Sequence, residues 1–62
     1  MDFKEFMNAY DDWNGILKVN DDNLDCIVKD KAFFVMENRQ DLYERKVVSF
    51  GFYDGELCVR VK

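Results

Sequence analysis

Apolar side chains first recur at Phe3, Phe6, Met7 and Tyr10, in steps of three and four residues. That spacing gathers them on one face and predicts an amphipathic helix over residues 2–13. Trp13 sits at the edge of the face, and Lys4, Glu5, Asn8, Asp11 and Asp12 fall elsewhere on the wheel. Asp2 with Glu5 three residues on has the form of a capping box. Asn14-Gly15 is the expected end of the helix, because Gly tolerates the left-handed conformation of a C-terminal cap.

The period then shortens. Residues 16–20, Ile-Leu-Lys-Val-Asn, read as a first strand, and Asp21-Asp22-Asn23 as a turn by composition. A second strand is expected over 24–29 and a third over 32–37, with Asp30-Lys31 turning between them. A two-residue turn there sets Val28 opposite Phe33 and Cys26 opposite Val35, with Ile27, Phe34 and Met36 on the other face. Both faces carry apolar side chains, so the pattern leaves open which one is buried. Residues 38–45, Asn-Arg-Gln-Asp-Leu-Tyr-Glu-Arg, break the alternation and predict a loop or a single helical turn, with Leu42 and Tyr43 tucked inward.

The clearest signal closes the chain. Val47 to Tyr53 and Glu56 to Lys62 flank Asp54-Gly55, a favoured pair for a two-residue type I′ turn. The implied register sets Phe52 opposite Leu57, Phe50 opposite Val59 and Val48 opposite Val61, all on one face. Tyr53, Gly51, Ser49 and Val47 oppose Glu56, Cys58, Arg60 and Lys62 on the other. A slip of one residue would destroy the partition. The expected fold is α+β: an N-terminal helix packed on one face of an antiparallel sheet of about five strands that ends in a tight hairpin. Val48, Phe50, Phe52, Leu57, Val59 and Val61 are expected to face Phe3, Phe6, Met7 and Tyr10.

Length and composition bound the rest. Sixty-two residues make one domain, 1–62, with a thin core. Apolar residues at 48% and aromatics at 16% argue for a folded chain despite 35% charged residues. The net charge of −4 disfavours direct binding to a nucleic-acid backbone, which needs clustered Lys and Arg. No apolar run approaches the roughly 20 residues of a membrane span, and the N-terminus lacks the form of a signal peptide. Two cysteines, Cys26 and Cys58, make no disulfide framework. The expectation is a cytoplasmic protein with free thiols.

Catalytic chemistry is sparse. The chain has no His, no Thr and a single Ser, Ser49, which removes His-based acid–base catalysis and the common nucleophile–His pairs. Cys26 and Cys58 lie 32 residues apart, without the CxxC or His that would complete a zinc site. Asp21-x-Asn23-x-Asp25 opens like a calcium-binding loop, but Cys26 and Ala32 stand where the Gly and the bidentate Glu are required. No glycine-rich phosphate loop is present. No enzyme, metal site or cofactor is expected.

Two surface features remain. One is an acidic set, Asp11, Asp12, Asp21, Asp22 and Asp25, suited to a basic partner. The other is the outer hairpin face with Tyr53 and Arg60. The run Asp-Leu-Tyr-Glu-Arg-Lys-Val-Val-Ser-Phe (41–50) followed by Asp-Gly-Glu-Leu-Cys-Val-Arg-Val (54–61) resembles the tail of small uncharacterised α+β domains of phages and prophages of Gram-positive bacteria. The match covers residues 40–62 and the helix-first layout. It implies an accessory protein of a mobile element and supplies no catalytic residues. Some small acidic phage proteins inhibit host defence nucleases by presenting carboxylates where nucleic acid would bind. The expectations are therefore a small interaction module that binds a protein partner or itself as a homodimer, or an acidic inhibitor of a host nucleic-acid-binding or defence protein.

Overall fold

A computed structural model describes residues 1–62. Helix α1 covers Phe3–Asn8, strand β1 Ile16–Asn20, strand β2 Cys26–Lys31 and helix α2 Ala32–Asn38. A 3-10 turn over Gln40–Leu42 leads to strands β3, Val47–Tyr53, and β4, Glu56–Val61. The chain is α+β with an N-terminal helix, and the helices lie against one face of a four-stranded sheet in the order β2-β1-β4-β3.

The capping box forms as expected. The Asp2 carboxylate accepts from the Glu5 N–H at 2.8 Å, and the Glu5 carboxylate accepts from the Asp2 N–H at 3.0 Å. The helix is nevertheless half the expected length and stops at Asn8. Its last turn holds no cation, and continuing it would set Asp11 and Asp12 at the negative end of the helix dipole. The Trp13 indole N–H instead donates to the Met7 carbonyl at 3.0 Å, satisfying a terminal acceptor of α1. Asn14-Gly15 therefore leads into β1 and does not close a helix.

The expected third strand, 32–37, is helix α2. Its buried residues are Ala32, Val35 and Met36, at the helical steps of three and four. No side chain caps its start. The N–H groups of Ala32 and Phe33 donate to the carbonyls of Gly15 and Trp13, both at 2.9 Å. A helix start without a local signal is thus built from tertiary hydrogen bonds. At the far end the Asn38 side chain donates to the Phe34 carbonyl at 2.9 Å, and the Tyr43 hydroxyl donates to the Met36 carbonyl. Asp30-Lys31 is consequently the end of β2, running straight into α2, rather than a turn between strands.

Losing that strand changes the sheet from five antiparallel strands to four of mixed direction. β1 pairs β2 antiparallel but β4 in parallel, with Leu17 opposite Leu57 and Val19 opposite Val59. β4 alternates buried Leu57, Val59 and Val61 with half-buried Glu56, Cys58 and Arg60. Such a strand excludes water best in the centre of the sheet.

The terminal hairpin forms in the expected register from Tyr53 opposite Glu56 to Ser49 opposite Arg60. Asp54 and Gly55 both have positive φ, 54° and 78°, as a type I′ turn requires. Below Ser49 a β-bulge intervenes, so Val47, and not Val48, opposes Val61. Val47 packs on the core and Val48 is exposed. The core unites Phe3, Phe6 and Met7 of α1 with Ala32, Val35 and Met36 of α2, with Leu42, and with Leu17, Val19, Leu57, Val59 and Val61 of the sheet. Val48, Phe50 and Phe52 do not join it.

Candidate interaction surface

The sheet ends at β3, and the course of its backbone decides what that edge offers. Tyr53 and Glu56 bracket the two-residue turn, so they form a hydrogen-bonded pair, as do Gly51 with Cys58 and Ser49 with Arg60. The N–H and C=O groups of Phe50 and Phe52 therefore point away from β4, into solvent. The beginning of the edge is covered by the chain's own N-terminus. Asp2 bridges Lys46, the Val47 N–H donates to the Met1 carbonyl at 3.0 Å, and the Phe3 N–H donates to the Arg45 carbonyl at 2.8 Å. From Ser49 to Tyr53 no strand lies alongside.

The side chains follow the same division. Phe50 and Phe52 lie on the helix-bearing face but beyond the cover of α1, which at six residues is about 9 Å long. They are 62% and 60% exposed. Each touches the helix layer at one side only: Phe50 meets Phe6 with ring centroids 4.8 Å apart, and Phe52 meets Tyr10 at 6.1 Å. Met1, Phe6, Ala9, Tyr10 and Phe50 line a shallow apolar groove of about 320 Å³ beside the edge. Burial, with the nearby Asp12 charge adding, pushes the Tyr10 phenol above its ordinary pKa. The seven residues of β3, Val-Val-Ser-Phe-Gly-Phe-Tyr, include no charge and no proline. Charge and proline are two of the devices that blunt a sheet edge; a third, the bulge, lies between Val47 and Ser49, at the start of the open stretch.

No family model matches the chain, and no curated protein or solved structure matches it at a significant level. The surface must be read from its own chemistry.

Of the residues singled out in the sequence, Tyr53 and Arg60 are brought together. They line a depression of about 190 Å³ on the helix-free face, with Asn20, Leu24, Ser49, Phe50, Gly51 and Cys58. The Tyr53 ring lies over Gly51, where an added Cβ would approach its Cε2 to 3.1 Å. Asn20 and Arg60 are register partners across β1 and β4, and the Asn20 Oδ1 and Arg60 Nε atoms are buried without hydrogen-bond partners. On the same face Lys29 and Glu56 form a salt bridge at 3.1 Å.

The acidic set is not brought together. Asp11 and Asp12 precede β1, and Asp21, Asp22 and Asp25 follow it. Five residues of strand, about 13 Å, separate the two groups. Asp21 has a local role: its Oδ1 accepts from the N–H groups of Asn23 at 2.8 Å and Asp25 at 3.0 Å, holding the β1–β2 turn. Cys26 is exposed, Cys58 is half-buried, and both are free thiols.

Sequence reasoning missed Phe50 and Phe52 as surface residues because it gave them a twelve-residue helix to pack under. The signal that could have found them was the acidic pair Asp11-Asp12, which shortens that helix.

Proposed function

We propose that this chain is a small non-enzymatic protein-interaction module that docks a partner along the β3 edge. The observation that carries the reading is the coincidence, on Ser49–Tyr53, of unpaired backbone groups with bare aromatic rings. An extended segment placed there can add a strand to the sheet. Main-chain hydrogen bonds then supply affinity, and the Phe50–Phe52 rings with the adjoining groove supply specificity. At roughly 200 Å² per side chain, the exposures of Phe50, Phe52 and Met1, which lie together on the groove side of the edge, leave about 380 Å² of apolar surface bare. A patch of that size is on the scale of functional patches on small proteins.

The resemblance of residues 40–62 to phage and prophage domains supports a role as an accessory protein of a mobile element, and the free thiols of Cys26 and Cys58 support a cytoplasmic location. An acidic inhibitor would need one continuous negative face, and the separation of Asp11 and Asp12 from Asp21, Asp22 and Asp25 gives that reading less support. Its test is charge reversal at those five positions in a phage-defence assay.

The docking reading is tested by a photo-reactive residue at Phe52 and, as the control, at exposed Glu37 on α2 in the producing cell. Cross-linked adducts, to this chain or to another, are expected from position 52 and not from 37. Absence of adducts at 52, or equal adducts at both, contradicts the proposal.

A further inference from the structure

We infer that the occupant of the β3 edge is a second copy of this chain, joined β3 to β3 about a two-fold axis through Gly51. The inference rests on the docking reading above and names its partner.

Four observations converge on a like partner. First, the edge is self-complementary. In antiparallel pairing, residues whose backbone groups face outward must meet one another. Setting Phe50 opposite Phe52 of the second copy, and Phe52 opposite its Phe50, satisfies all those groups. Gly51 then meets Gly51 on the axis. The two-fold makes the interface isologous, the commonest closed arrangement of like subunits.

Second, the paired stretch fits the open stretch. In this register Ser49 meets Tyr53 of the other copy. Pairing therefore occupies Ser49–Tyr53 and ends where Met1 already covers the edge beside Val47. Phe52 of one copy comes to the mouth of the apolar groove lined by Phe50, Phe6 and Tyr10 of the other.

Third, charge permits this contact and disfavours the alternative. Each copy carries a net −4, but β3 carries none of it. The nearest acidic residue along the chain is Asp54, and the register sets the two Asp54 side chains roughly 20 Å apart, beyond a Debye length of about 10 Å at 0.1 M salt. The opposite sheet edge, β2, presents Lys29, Asp30 and Lys31 and turns directly into α2. Such an edge resists strand addition. Pairing therefore closes as a dimer with an eight-stranded sheet and does not propagate as a filament.

Fourth, the area matches a weak, concentration-dependent dimer. Phe50, Phe52 and Met1 on the groove side offer about 380 Å² per copy at roughly 200 Å² per side chain, which sets the contact at the small end of interfaces, where association is transient. A domain this small commonly gains stability by association.

Sedimentation of the full chain tests this, followed from about 1 µM to about 1 mM to span the affinities of small interfaces. The expected result is a monomer that converts to a dimer with rising concentration and no larger species. Phe50→Lys places a charge in the centre of the interface and is expected to raise the concentration for half-conversion at least tenfold while the far-ultraviolet spectrum stays native. Phe52→Lys is the companion should Phe50→Lys fail to fold. A wild-type chain monomeric at about 1 mM, or a dimer indifferent to whichever lysine variant folds, overturns the inference. A monomer that still forms adducts with a different chain through position 52 overturns the second copy while the docking reading stands. A monomer without adducts overturns both.

Discussion

The rings of Phe6 and Phe50 stand 4.8 Å apart, yet Phe6 is 9% exposed and Phe50 is 62% exposed. One aromatic pair thus straddles the boundary between core and surface. The core belongs to α1, α2, Leu42 and the two central strands, and β3 carries its aromatics past the point where α1 stops.

This asymmetry sets the cost of truncating each ring. Phe3→Ala removes a fully buried ring and is expected to cost about 3–5 kcal/mol, most of the stability of a domain this small. Phe52→Ala, measured on dilute protein, is expected to cost about 1–2 kcal/mol, because most of the ring is already in water. Denaturant unfolding of the two variants checks the contrast.

The capping box gives a second expectation. Asp2→Ala frees the Glu5 N–H and is expected to destabilise by about 1 kcal/mol. In a domain of this size that lowers the Tm by roughly 4–8 °C. Thermal unfolding followed by circular dichroism measures it.

Leu24 gives an expectation of opposite sign. Its φ of 68° is unusual for a side chain of its size. The side chain is largely exposed, so little packing is lost on its removal. Relief of the left-handed strain, about 1–2 kcal/mol, outweighs the added freedom of Gly in the unfolded chain, about 0.5–1 kcal/mol, so Leu24→Gly is expected to stabilise the domain by up to about 1 kcal/mol, read as a rise in the midpoint of denaturant unfolding.

The Asp41 carboxyl should titrate low. Its hydrogen bonds from Arg39, at 2.9 and 3.0 Å, favour the ionised form, with the Arg39 charge adding. A folded pKa below the unfolded one contributes stability above the unfolded value, near 4. That stability is lost as pH falls through the lower folded value. The pair is exposed, so the contribution is small. Carboxyl shifts in a pH titration should show Asp41 protonating below the ordinary range of an aspartate, and Arg39→Gln should raise its midpoint.

These expectations also mark where the sequence was a sufficient guide. The capping box and the Asp54-Gly55 turn are local: adjacent residues supply both the chemistry and the geometry. Residues 32–38 are not. Ala-Phe-Phe-Val-Met is apolar at both strand and helix periods, and the decision comes from the carbonyls of Trp13 and Gly15, just before β1, which accept from the Phe33 and Ala32 N–H groups. The parallel pairing of β1 with β4 is likewise invisible locally, since it depends on which strand occupies the centre. Tyr53 and Arg60 could be paired in advance because hairpin alternation sets their face. The exposure of Phe50 and Phe52 could not, because it follows from the length of a helix more than forty residues away in sequence.

The central claim, that β3 is an open edge which takes a strand, is tested most directly by amide hydrogen exchange along Ser49–Tyr53. In dilute protein the account predicts fast exchange at Phe50 and Phe52 and protection at Ser49, Gly51 and Tyr53. With rising concentration the Phe50 and Phe52 amides should become protected as well. Protection of those two amides in the dilute monomer, or fast exchange that persists at every concentration and with every bound partner, would contradict it.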